Sequence, residues 1–216
     1  MKTTKYTYTI ISIFIGLAFA TQSYALTLNP IADSDVYHYY GSVDSTPETL
    51  GVSYAAFGES DHSQTSAVKF DLSGVSPGSF ATATLRLNAL PFTPGFASFS
   101  TGAGMNIGMS VNEWVSSGLT TATATDAVVM GAPLQVFSES GWVEYDITSI
   151  VNAQAASPFA NNGLVLSALP GASYQFASSE TDFAPQLVLA AIPEPSTYAL
   201  ILGLFSLGFL ALKRKK

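Results

Sequence analysis

In several runs between residues 67 and 189 apolar and polar side chains alternate with a period of two. From Ala81 to Ala89 the odd positions are Ala81, Ala83, Leu85, Leu87 and Ala89, and the even ones are Thr82, Thr84, Arg86 and Asn88. Met105, Ile107, Met109 and Val111 alternate with Asn106, Gly108, Ser110 and Asn112. Val68, Phe70 and Leu72 oppose Ala67, Lys69 and Asp71, while Val143, Tyr145 and Ile147 oppose Trp142, Glu144 and Asp146. Leu164, Leu166 and Ala168 form a further face, as do Leu187 and Leu189. This period belongs to strands with one face on a core and one in water. Shorter strands are predicted at Asp35–Tyr39, Ser53–Phe57, Leu134–Phe137 and Tyr174–Ser178. Turn chemistry separates the runs at Ser73-Gly74, Ser76-Pro77-Gly78, Pro94-Gly95, Ser140-Gly141, Asn161-Asn162-Gly163 and Pro170-Gly171.

One helix is predicted over Ile147–Ala156, capped by Asp146, with Ile147, Ile150 and Val151 on one face. No other helical stretch suggests strand–helix–strand units. The expected fold is all-β: an antiparallel β-sandwich of jelly-roll form, flanked by an N-terminal signal peptide and a C-terminal transmembrane helix.

Both chain ends read as processing segments. Lys2 and Lys5 precede the apolar run Ile10–Ala20, which is too short to span a bilayer, and Ser23-Tyr24-Ala25 ends a signal peptide over residues 1–25. Cleavage by signal peptidase after Ala25 is expected, with Ala18-Phe19-Ala20 as a second site. At the other end, Pro193-Glu194-Pro195 is followed by the apolar run Tyr198–Leu212 and the basic cluster Lys213-Arg214-Lys215-Lys216. Prolines on both sides keep Glu194 in extended chain, as a protease site requires. At about 1.5 Å per residue the apolar run is about 22 Å long. That is short of a hydrocarbon core of about 30 Å, and Tyr198 and a snorkelling Lys213 extend it. The basic cluster predicts a cytoplasmic C-terminus.

The order tripeptide, apolar run, basic cluster over residues 193–216 resembles the PEP-CTERM sorting signal. The resemblance implies cleavage near Pro193-Glu194-Pro195 by an exosortase-type enzyme, after transient anchoring in the inner membrane.

Charge sharpens the picture of the part between, residues 26–192. It keeps two basic residues, Lys69 and Arg86, and fourteen acidic ones, for a formal charge of −12. Such a surface repels nucleic acid, and it repels polyanionic sugars unless a cation bridges them. Lys69 and Arg86 are placed on the polar faces of neighbouring strands and, surrounded by carboxylates, are expected to be ion-paired across strands. The chain has no cysteine, so disulfides and thiolate sites are excluded.

Several runs in this part together resemble the DNRLRE domain, grouped with the family-96 carbohydrate-binding modules. They are Ala32-Asp33 with Val36, Leu50-Gly51-Val52, Val68-Lys69-Phe70-Asp71-Leu72-Ser73 and Ala83-Thr84-Leu85-Arg86-Leu87. Later come Trp142-Val143-Glu144-Tyr145-Asp146-Ile147-Thr148 with Val151, Asn162-Gly163-Leu164, and Phe176-Ala177-Ser178-Ser179-Glu180 leading to Pro185-Gln186-Leu187. The chain departs from the family where Glu113-Trp114 is followed by Val115-Ser116-Ser117-Gly118, and where Ser179 stands in place of a common arginine. The resemblance implies a β-sandwich that binds surface or matrix polysaccharide or builds extracellular structure.

Sugar recognition needs exposed aromatic faces for stacking and polar groups for the hydroxyls. Tyr37-His38-Tyr39-Tyr40 is the densest aromatic cluster, and strand alternation puts Tyr37 and Tyr39 on one face and His38 and Tyr40 on the other. Trp142 stands on the polar side of its strand. Trp142, Tyr40, His38 and Tyr37 are therefore the candidate ligand-binding residues, with Trp114 assigned to core or rim. No metal or other cofactor is expected. Asp33 and Asp35 come nearest to a calcium-binding pair but lack the glycine and distal glutamate of a calcium loop, so solvated turn carboxylates are the plainer reading. Asp71 and Asp146 are read as strand-end residues that bond nearby backbone amides.

Two histidines, His38 and His62, make no triad or metal pattern, and the chain lacks a Gly-x-Ser-x-Gly elbow and a His-Glu-x-x-His run. The expectation is a non-enzymatic, exported surface or matrix protein that binds polysaccharide. A structural matrix protein without a specific ligand and a polysaccharide-degrading enzyme are the two alternatives.

Overall fold

A computed structural model describes residues 25–54, 56–57, 60–91, 104–111, 113–114, 127–129, 140–156, 161–192 and 203–206. The expected strand Leu134–Phe137 lies outside them, as do the Pro-Glu-Pro tripeptide, the basic cluster and all of the leader except Ala25. One compact unit runs from Leu26 to Leu189. Of the other, Met1–Ala25 with Ala190–Lys216, residues 25, 190–192 and 203–206 are described, and 203–206 are helical. Among the described residues no helix is long and apolar enough to cross a membrane.

The chain begins with β1 (Ala25–Leu28), β2 (Pro30–Tyr37), β3 (Ser42–Asp44) and β4 (Thr49–Ser53). A small hairpin of β5 (Ala56–Phe57) and β6 (Ser60–Asp61) leads into β7 (Gln64–Phe70) and the long β8 (Phe80–Ala89). Then follow β9 (Met105–Ser110), β10 (Ala127–Val129), β11 (Gly141–Asp146) and the helix α1 (Thr148–Ala156). β12 (Leu164–Ala168), β13 (Ser173–Ala177) and β14 (Gln186–Ala191) complete the fold.

All of these strands except β5 and β6 join one open sheet, and its registered pairs are antiparallel. Its long ladders fall into two groups. In one, β2 pairs with β3 and β7, β7 with β12, β12 with β9, and β9 with β10. In the other, β8 pairs with β11 and adjoins β14. The β4–β13 pair connects the groups through two single-residue joints, Ser53 opposite Gln64 and Phe176 opposite Ala89.

Both groups contribute to a single core. Leu50, Val68, Leu85, Leu87, Leu166 and Phe176 are fully inaccessible members of it or nearly so. In β11, and in β8 from Ala83 onward, the predicted alternation holds, though Ala81 is exposed: Leu85, Leu87, Val143 and Tyr145 are buried, while Trp142, Glu144 and Asp146 are exposed. In β2, β7 and β12 it fails over three or four successive residues, where consecutive side chains are buried. The cause is a second, smaller cluster of Val36, Ala67, Trp114 and Val165. It covers the side of this group turned away from the main core, so these strands are buried on both faces. Trp114 is accordingly core, and its indole N–H donates to the Asn162 carbonyl at 2.6 Å.

The helix begins one residue later than expected. Asp146 Oδ1 accepts from the Thr148 N–H at 2.9 Å and from its hydroxyl at 2.6 Å, satisfying donors at the helix start. Asp71 makes the matching turn, accepting from the Ser73 N–H at 2.9 Å.

Candidate functional site

β2 stops at Tyr37, and His38–Gly41 form a turn closed by the Gly41 N–H on the His38 carbonyl at 3.2 Å. Gly41 takes φ +58°, a conformation that costs a side chain-bearing residue energy. The turn overrides the expected alternation, because period-two placement needs extended backbone. Tyr37, Tyr39 and Tyr40 are all exposed, at 40, 52 and 77 %. His38 is tucked in instead. Its ring lies between the Thr65 hydroxyl, 2.9 Å from Nε2, and the Asp61 carboxylate, 3.2 Å from Nδ1.

The Tyr39 ring stacks on His62, with centroids 4.0 Å apart and planes 16° from parallel. Tyr40 meets Tyr39 edge-on at 5.0 Å. Desolvation pushes the Asp61 carboxyl up, but hydrogen bonds from Ser63 and the adjacent His38 outweigh it and hold Asp61 below the usual carboxylate range. The turn thus presents aromatic surface beside an ionised oxygen pair.

Trp142 belongs to a different place. It stands on β11, opposite Asn88 of β8, on the solvent side of that ladder. The Arg86 guanidinium carbon lies 4.8 Å from the centre of its ring. Arg86 Nε donates to Glu144 Oε1 at 2.9 Å, directly across the strand pair, and Nη1 donates to Gln186 Oε1 at 2.8 Å. Among the described residues no ring contact joins Trp142 to the tyrosine turn. Lys69 is not the neighbour of Arg86 that the sequence suggested: β7 and β8 sit in different groups, and Lys69 Nζ donates to the Trp114 carbonyl at 3.4 Å.

Asp33 and Asp35 are not solvated turn residues. They lie in β2, 2 and 1 % exposed, on the face that turns toward the main core. Asp33 accepts from the Ser179 N–H at 2.6 Å and the Ser179 hydroxyl at 2.9 Å. Asp35 accepts from the Gly51 N–H at 2.9 Å and from Gln64 Nε2 at 2.7 Å, and contacts the Ser66 hydroxyl. Burial raises both carboxyls above their ordinary values, Asp35 to about 7. Protein groups therefore occupy the oxygens that would ligate a cation. Among the described residues no cluster of three or more histidine, aspartate or glutamate side chains is arranged to hold a metal.

Comparison with known families settles which fold lineage this is. The sequence profile of carbohydrate-binding module family 96 matches residues 25–191, most of the chain and all of the β body. The chain belongs to that family. A PEP-CTERM protein-sorting motif matches residues 191–216, the segment read above as a sorting tail. No curated protein matches the chain.

In this family-96 module, three of the four expected binding residues lie together, Tyr37 at the end of β2 with His38 and Tyr40 in the turn that follows, and Trp142 stands on a separate ladder. His38 serves there as a partly buried support, its ring held on both nitrogens. Sequence reasoning did not select Tyr39, Asp61 and His62, nor Glu144 and Gln186 as the companions of Arg86. A cross-strand carboxylate for Arg86 follows from aligning β8 with β11, but the stacking of His62 on Tyr39 has no sequence signal, since it depends on how the β5–β6 hairpin returns.

Proposed function

We propose that the mature protein is a non-catalytic polysaccharide-binding module displayed at the cell surface or in the extracellular matrix. The observation that carries this is the tyrosine cluster: Tyr37 at the end of β2 and Tyr39 and Tyr40 in the turn that follows are all exposed, with Tyr39 braced by His62. Tyrosine rings held rigidly stack on the apolar face of a sugar, and their hydroxyls and Asp61 bond its hydroxyl groups. Family membership supports carbohydrate as the ligand class.

The ligand chemistry that fits is an uncharged glycan. The module carries −12, and its only two cations are Lys69 and Arg86, of which Arg86 is held by Glu144 and Gln186. A polyuronate would meet net repulsion. Incubating the purified protein with a panel of neutral and anionic polysaccharides tests this. Retardation by a neutral member at low salt supports the reading; retardation by anionic members alone, or by none, overturns it.

A second surface is supported by Trp142, whose ring is exposed on an open ladder beside the fixed guanidinium of Arg86. We read it as a further stacking platform on the same module, with jelly-roll connectivity between the two groups of strands. On the same reading, residues 1–25 direct export and are removed after Ala25. Residues 193–216 hold the precursor in the inner membrane, C-terminus inside, until an exosortase cuts at Pro193-Glu194-Pro195. The sorting motif supports that route.

A further inference from the structure

Beneath the tyrosine turn, three strands meet at one hydrogen-bonded point. Ser66 Oγ on β7 contacts Asp35 Oδ1 on β2 and lies 2.7 Å from the Gly51 carbonyl oxygen on β4. Each of these oxygen–oxygen contacts needs a proton between its members. The serine hydroxyl has one, and a carbonyl has none. An ionised Asp35 would leave two acceptors competing for a single hydrogen in a buried site.

The other oxygen, Oδ2, is the main acceptor: it receives Gln64 Nε2 at 2.7 Å and the Gly51 N–H at 2.9 Å, a donor that lies farther, 3.2 Å, from Oδ1. Gly51 allows this approach because it lacks a side chain: a Cβ there would fall 2.1 Å from Gln64 Nε2. We propose that Asp35 is held in the folded module as the neutral carboxylic acid, its proton completing a chain through the Ser66 hydroxyl to the Gly51 carbonyl that latches β2, β7 and β4 together.

The surrounding charges agree. Asp33 lies two residues along the same strand, and Asp44 of β3 stands directly opposite Asp35. Tyr37 is the next ionisable group on the strand and is itself pushed up, first by burial and then by Asp35. Glu180 adds negative charge beside Asp33. β4, β12 and β13 contribute no charged side chain, and Lys69, the only one on β7, pairs with Ala32 on the opposite face. With no cation facing it, Asp35 has desolvation and repulsion against ionisation and neutral donors alone in favour of it. The latch is therefore pH-sensitive: ionisation removes the hydrogen that the Gly51–Ser66–Asp35 chain requires.

Asp35→Asn is the isosteric test, since its amide N–H₂ donates to Ser66 and its carbonyl accepts from Gly51 and Gln64. A group whose folded pKa is raised stabilises most at low pH and loses that stability as pH climbs to the folded value. The full-length protein and the variant should therefore melt together near about pH 4, close to the ordinary aspartate pKa. The wild type should then fall progressively below the variant up to about pH 7, and by a constant margin beyond. Infrared spectra of the wild type should also show a protonated-carboxyl carbonyl band in mildly acidic solution that disappears in alkali. Should the wild type instead gain on Asp35→Asn as pH rises, or should that band be missing from the folded wild-type protein, the proposal fails. If Asp35→Asn does not fold, absence of the band from the wild type still overturns the proposal, and loss of the whole band in Asp33→Asn, the neighbouring raised carboxyl, does the same.

Discussion

The guanidinium of Arg86 lies over the ring of Trp142, 4.8 Å from its centre, and so covers part of one of the module's two indoles. The other, Trp114, is buried. Dynamic quenching by acrylamide therefore reports Trp142 almost alone. Arg86→Ala should increase the quenching of the accessible fraction and lower stability by about 1–2 kcal/mol, since it removes an exposed cation–π contact together with the exposed ion pair to Glu144 and the bond to Gln186. Unchanged quenching would mean that the arginine does not shield the ring.

Trp114 makes the opposite kind of contribution. It closes the second cluster over Val36, Ala67 and Val165 and ties down the Asn162 carbonyl. Trp114→Ala should destabilise by about 3–5 kcal/mol, as expected for a large aromatic removed from a core. Trp114→Phe retains most of the packing but forfeits the indole hydrogen bond, for about 1–2 kcal/mol. Chemical denaturation of the two variants, compared with the parent, separates packing from bonding.

The helix-start carboxylate sets a second pH dependence, of opposite sign to that of Asp35. Hydrogen bonds from the Thr148 hydroxyl and N–H hold the Asp146 carboxyl below its ordinary value. A depressed pKa stabilises the fold above the unfolded value and withdraws that support as pH falls. Melting temperature should drop on acidification below about pH 4, and the drop should be smaller in Asp146→Asn. Equal acid sensitivity of parent and variant would remove Asp146 from the account.

Where the fold was legible in the sequence, one physical condition held: a strand with core on one side and water on the other. β8 and β11 meet it, so Leu85, Leu87, Val143 and Tyr145 announced the core side directly. β2, β7 and β12 do not. Their outer face is covered by Trp114, which arrives from a distant segment, and nothing in the local pattern records that cover. The same blindness placed Asp33 and Asp35 in solvent, because their partners Ser179, Gly51, Gln64 and Ser66 come from other strands and loops. The aromatic cluster was found by composition, but its presentation was misread, since a turn at His38–Gly41 replaces the extended chain that alternation assumes. The expected cross-strand carboxylate partner exists for Arg86, which faces Glu144, whereas Lys69 turns to the Trp114 carbonyl instead, on a strand that is not the neighbour of β8.

Binding of a neutral polysaccharide by the tyrosine turn can be measured by affinity electrophoresis of the full-length protein and of a Tyr39→Ala, Tyr40→Ala double variant. Both side chains are largely in solvent, so the variant should keep the parent's melting temperature. The account predicts that a neutral polysaccharide retards the parent and that the double variant, still folded, runs at its unretarded mobility. Retardation of the folded variant equal to that of the parent would contradict it.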